Sequence, residues 1–151
     1  MMTLLLSRTG PRKGPVLFSL LLFTILGIRI GSDIEEVRSR LDRLAIDAPR
    51  EREDEREGRK EAWLLRGTEY KSIALQTNPA GKVVWVTGFV RPGKEIPFSR
   101  LGKSSRAIRY TEGEAIWNVR GASGAYRLVA KGQNRKASVI YLLSLTEGAV
   151  E

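Results

Sequence analysis

The 151-residue chain contains no cysteine and no histidine. Without cysteine there is no disulfide framework and no thiolate site; without histidine there is no imidazole base, no Ser-His-Asp or Cys-His arrangement and no His-ligated zinc. Most hydrolase chemistries are thereby excluded. The glycines Gly93, Gly102, Gly121 and Gly124 match no phosphate-loop spacing. Ser104, Ser105 and Ser138 lie near Lys103 and Lys136, but a Ser-Lys pair needs a desolvated lysine, and these read as turn serines beside solvated lysines. Of the six carboxylates after residue 62, only Glu112 and Glu114 are neighbours, and they flank a turn glycine, so no acid/base pair is expected. The chain is expected to be no enzyme and to hold no cofactor or metal.

Charge is also missing from one stretch. Gly14 to Ile28 is uncharged throughout, between Arg12-Lys13 and Arg29. As a helix these fifteen residues rise ~22 Å, short of the ~30 Å bilayer core, unless Arg29 snorkels and lets Ile30 and Gly31 extend the span. Residues 14–31 are read as a transmembrane anchor after a basic tail, 1–13; the alternative is a cleaved signal peptide, although no Ala-x-Ala-like site follows. The N-terminus is placed inside because its tail is short, although Arg38, Arg40 and Arg43 after the span weaken the asymmetry. The expected location is the inner (cytoplasmic) membrane, single-pass, with the C-terminal domain extracytoplasmic (periplasmic); secretion is the alternative. The first 32 residues hold no acid, which leaves an organellar presequence open.

The net charge of +9 is uneven: residues 1–31 carry +4, residues 32–62 carry −3, and residues 63–151 carry +8. A basic C-terminal body favours anionic partners such as a lipid surface, an envelope polymer or an acidic protein. Nucleic acid is not expected, since it would call for aromatic platforms interleaved in a basic groove.

After the span, Ser32-Asp33-Ile34-Glu35 fits a capping box opening an amphipathic helix in residues 32–48. Its apolar residues Ile34, Val37, Leu41 and Leu44 have heptad spacing. They form either a homodimer stripe or the face by which the helix lies on the C-terminal domain or the membrane. Pro49 ends it. Arg50 to Glu61 has eleven charged residues out of twelve, so residues 49–62 are read as a solvated linker of low order.

From Trp63 the pattern becomes β. Tyr70–Thr77, Lys82–Val90, Glu95–Leu101, Arg106–Tyr110, Ala115–Arg120, Tyr126–Lys131 and Ala137–Leu145 alternate with Gly-, Pro- and Asn-containing turns. Short strands about ten residues apart predict a mainly β fold, an antiparallel β-sandwich in residues 63–151. Arg100, Lys103, Arg106 and Arg109 cluster around one loop, with Phe98 and Tyr110 alongside, as a candidate anion or partner patch. Trp63, Trp85 and Trp117 are read as core residues.

Ala122-Ser-Gly-Ala-Tyr126-Arg-Leu-Val-Ala130 resembles the E–F corner and F strand of immunoglobulin-like domains, with Tyr126 as the corner tyrosine and Leu128 in place of the second cysteine. The resemblance implies an immunoglobulin-like sandwich. Gly81-Lys-Val-Val-Trp85 is similar to the outer domains of membrane-bound anti-sigma factors, but thirteen tail residues cannot house a sigma-binding domain. Ser123 to Ala130 is locally similar to the single-anchor lipopolysaccharide-export protein. The function expected is an interaction module: an accessory or scaffolding subunit of a membrane or envelope assembly, with the bilayer and a protein partner in a membrane complex as its contacts. The alternatives are a regulator or transport component of the anti-sigma or lipopolysaccharide-export kind and a secreted anion-binding domain.

Overall fold

The computed structural model describes residues 24–54, 58–121 and 124–145. The predicted basic tail and residues 14–23 of the predicted anchor lie outside them. Among the described residues no helix is long and apolar enough to cross a membrane. The elements are α1 (Ile34–Asp42), β1 (Arg50–Asp54), β2 (Gly58–Leu64), β3 (Tyr70–Thr77), β4 (Val83–Val90), β5 (Ile96–Pro97), two 3-10 turns (Phe98–Arg100 and Ser104–Arg106), β6 (Arg109–Tyr110), β7 (Glu114–Gly121), β8 (Gly124–Gln133) and β9 (Lys136–Ser144). The protein is mainly β: a nine-stranded antiparallel sheet in the order β1-β2-β3-β4-β9-β8-β7-β6, with β5 pairing β9 beyond the end of β4. Two meanders thus meet at the β4–β9 pair. Asn134 and Arg135, both at positive φ, make the tight β8–β9 turn, the twist-matched geometry of a two-residue hairpin.

Alternation along the strands puts Ile73, Leu75, Val86, Trp117, Leu128 and Ile140 on one face, in a single core cluster fed by both meanders. The last part of the predicted anchor belongs to that cluster too. Ile25 and Ile28 are fully buried and Ile30 nearly so, and Gly31 N–H donates to the Val83 carbonyl at 2.8 Å. An apolar run suits a bilayer and a protein core equally well, and here its last third is used as core. Truncation through Phe23 is therefore expected to leave the fold intact, whereas Ile28→Ala should cost about 2–5 kcal/mol, measured by urea denaturation.

Helix α1 starts one residue later than predicted. Asp33 is the N-cap, its carboxylate accepting from Glu35 N–H at 3.1 Å, while the Ser32 hydroxyl accepts from Arg29 N–H. Ile34, Val37 and Leu41 are buried and Leu44 is packed against the same core. The stripe is thus covered by the chain's own sheet, which leaves no exposed heptad seam in α1 for a second copy.

The charged stretch after Pro49 is strand, not spacer. Arg50 to Asp54 pairs with Ala62 to Gly58, and β2 continues the sheet onto β3. At Gly58 φ is +88° and an added Cβ would stand 2.0 Å from the Thr77 carbonyl oxygen, so only glycine fits there. The segment likened to an E–F corner is also different: Gly121 pairs with Gly124 across a β7–β8 hairpin, which places Tyr126 within β8 opposite Val119. Tyr126 is buried, and that burial raises its pKa.

Tyr70, at the start of β3, is buried, and desolvation, then the Glu69 charge, pushes its hydroxyl up to about 12. An unfolded tyrosine ionises near 10. Between those values the unfolded chain releases a proton that the folded chain retains, so stability falls as pH rises from about 10 to about 12. The loss should reach about 2–3 kcal/mol and disappear in Tyr70→Phe, as read by denaturation against pH.

Candidate functional site

The predicted cationic cluster lies on the segment that carries the chain from β5 to β6. Phe98 and Leu101 are buried, and their i, i+3 spacing turns both inward from one 3-10 turn. Trp117 of β7 moors the loop: its indole N–H donates to the Lys103 carbonyl at 2.8 Å. Tyr110 stands edge-on to Phe98 and Trp117, at centroid distances of 6.0 and 6.2 Å. Gly102 lies against the Trp117 ring, where a Cβ would meet ring atoms at 2.7 Å. The loop backbone is thus fixed by aromatic packing, and its polar side chains point outward.

Arg100, Lys103 and Arg106 are exposed there. No acid occurs between Ile96 and Thr111. Among the described residues these three cations have no ion pair, whereas Arg109 is drawn away by Glu114, at 2.7 Å, which also holds Lys131 at 3.7 Å. The structure therefore places three of the four predicted patch residues as free charge on one moored loop. Ile108, 56% exposed, adds an apolar side chain beside Arg106. Chemically the loop can attract and hold an anionic surface.

A second feature was hidden by the reading of residues 49–62 as a linker. Glu51 and Glu61 are paired in register and share a face, as opposed residues in antiparallel strands do. Both turn to Arg38 of α1. Arg38 Nε donates to Glu61 Oε2 at 2.9 Å, a terminal guanidinium nitrogen bonds the same oxygen, and Glu35 and Glu51 stand at 3.4 and 3.8 Å. The Trp63 indole donates to the other Glu61 oxygen at 3.2 Å. The hydrogen bonds that Arg38 donates to Glu61 raise the Arg38 pKa against the opposing effect of burial.

The opposite face of the same strands presents Arg50, Lys60, Ala62, Ala74, Thr87 and Trp85 around an open groove of about 760 Å³. The sign alternation Arg50-Glu51-Arg52-Glu53 is the period-two signal of a strand that the sequence carries at β1. Trp85, expected in the core, is 41% exposed at this groove, while Trp63 and Trp117 are buried. Among the described residues no group of acidic side chains is arranged to hold a metal ion. Compared with family models, curated proteins and solved structures, the chain matches none.

Proposed function

We propose that this chain is a non-enzymatic interaction module held at a membrane, an accessory subunit whose β5–β6 loop docks on an acidic surface of a membrane partner. The observation that carries this is the loop itself: Arg100, Lys103 and Arg106 exposed, without an ion pair among the described residues, on a backbone fixed through Trp117. A loop whose backbone is already fixed loses little loop entropy on docking, and the field of its cations speeds encounter with an anion. Support for the tether comes from the uncharged Gly14–Phe23 and the basic tail before it. Because Ile25, Ile28 and Ile30 are committed to the core, the uncharged run ahead of the domain is ten residues, ~15 Å as helix. As helix those ten residues reach about half of the ~30 Å hydrocarbon core, so they anchor the chain in one leaflet and the domain sits directly at the bilayer surface without a stalk.

The proposal includes a sandwich reading of the sheet, supported by the one core to which both meanders contribute. The immunoglobulin-like likeness rests on the apolar alternation in β8 and β9, not on the corner. The test is co-purification from detergent-solubilised membranes in low and high salt. A stoichiometric partner should be retained at low salt, and both high salt and the triple variant Arg100→Glu/Lys103→Glu/Arg106→Glu should release it, because exposed charges are screened within about 10 Å at 0.1 M. Retention of the partner by the triple variant would refute the loop as its docking element.

A further inference from the structure

The groove over β2, β3 and β4 has a construction that the loop does not explain. In register, Ala62 faces Ala74, Ala74 faces Thr87 and Thr87 faces Tyr141. The small side chains Ala62, Ala74 and Thr87 form a floor roughly 10 Å across from β2 to β4 at strand spacing, bounded on β9 by Tyr141. On one side runs a taller row in which Trp85 pairs with Gln76 and with Leu143; on the other stands Leu64, 53% exposed. The Trp85 indole N–H is satisfied by the Thr87 hydroxyl at 3.1 Å, and its ring lies 6.4 Å from that of Tyr141. The floor and wall therefore offer mainly carbon.

Arg50 stands exposed opposite Ala62 at one end of this row and has no ion pair among the described residues, while Lys60, next on the same face of β2, is already engaged. The carboxylates of these two strands that the structure describes, Glu51 and Glu61, reach Arg38 on the other side of the sheet. The groove thus has a cationic head end and an apolar trough, which is complementary to one kind of ligand. A volume of about 760 Å³ falls within the range of small-molecule sites.

We infer that this groove binds a single-chain anionic amphiphile, with its acidic head on Arg50 and its chain along Ala62, Ala74 and Thr87 against Trp85. The inference does not depend on loop docking, since the groove and the β5–β6 loop use different residues. A carboxylate or a phosphate head satisfies the same chemistry.

The full chain is titrated with palmitate, with a monoalkyl phosphate of equal chain length, with the corresponding neutral alcohol, and with anionic phospholipid vesicles. Tryptophan emission is followed, to which Trp85 contributes the exposed indole. Saturable change is expected below the micellar range with palmitate or the alkyl phosphate, and the stronger of the two identifies the head. Arg50→Glu should weaken it about tenfold or more, as loss of a charged hydrogen bond does, with less effect on the neutral alcohol. Ala74→Phe, which fills the floor, should abolish it; if that variant does not fold, Ala62→Leu serves at an exposed position. No saturable change with either amphiphile overturns the inference. So does an unchanged response in both folded floor variants, and so does a response to vesicles alone, which would make this face a membrane-docking surface.

Discussion

Arg38→Ala is expected to lower unfolding stability by about 3–5 kcal/mol, the cost of leaving a buried charge without its partner. The Glu61 side chain is 0% exposed, and after the substitution its carboxylate would retain one described donor, the Trp63 indole. Glu61→Gln should cost less, because the Arg38 guanidinium is partly exposed and keeps Glu35 and Glu51 nearby. Replacing both partners together, Arg38→Met with Glu61→Leu, should recover part of the Arg38→Ala loss, since an apolar pair removes both desolvation penalties, with about 1–3 kcal/mol remaining for the Trp63 indole N–H left without its acceptor. Urea denaturation of the singles and the double closes the cycle. A loss of under about 1 kcal/mol for Arg38→Ala would mean that the contact is incidental. The pair matters structurally because it joins α1 to a sheet margin otherwise dominated by charged side chains.

Trp117→Ala is expected to cost about 3–5 kcal/mol as a large-to-small core change. It should also release the β5–β6 loop. Trp117 supplies the hydrogen bond to the Lys103 carbonyl and the ring against which Gly102 and Tyr110 pack. Trp117→Phe keeps most of the packing and loses only the hydrogen bond, about 1 kcal/mol. Amide hydrogen exchange separates the two effects. In Trp117→Phe the amides of Leu101 and Ala107, which donate to Phe98 and Ser104 carbonyls, should lose protection before those of β8 and β9. Uniform loss across the sheet would show that the residue acts on global stability alone. A loop freed in this way should also dock more weakly, because its cations would no longer be held in place.

Much of the sheet could be read from the sequence because its signals are local. Tyr70–Thr77 was predicted residue for residue, and β7, β8 and β9 shifted by no more than two residues at either end. Glu95–Leu101 was read as strand because it holds β-branched and aromatic residues between two turn signals. Yet buried Phe98 and Leu101 are three apart, and a turn rather than a pleat points both inward. The β1–β2 hairpin was obscured by its charge. Glu61 looks solvated until Arg38 is seen beside it, and the two are separated by 23 residues. The groove was lost with that hairpin, since its floor needs Ala62 brought into register with Ala74. The helix stripe Ile34, Val37, Leu41 and Leu44 was seen correctly as apolar, but spacing cannot tell a partner helix from a sheet. Hydropathy likewise cannot divide the run from Gly14 to Ile30 between bilayer and core.

The most direct test of the account is made on the full chain with a C-terminal tag, expressed in a bacterial host. Membranes are isolated and extracted in detergent, and the intact mass of the purified chain is determined together with the stoichiometry of whatever accompanies it. The account predicts a membrane-bound chain that retains the residues before Thr24, with one partner at a fixed ratio. A chain that has lost those residues and is recovered soluble and alone would contradict it, and would leave a free basic domain without a membrane role.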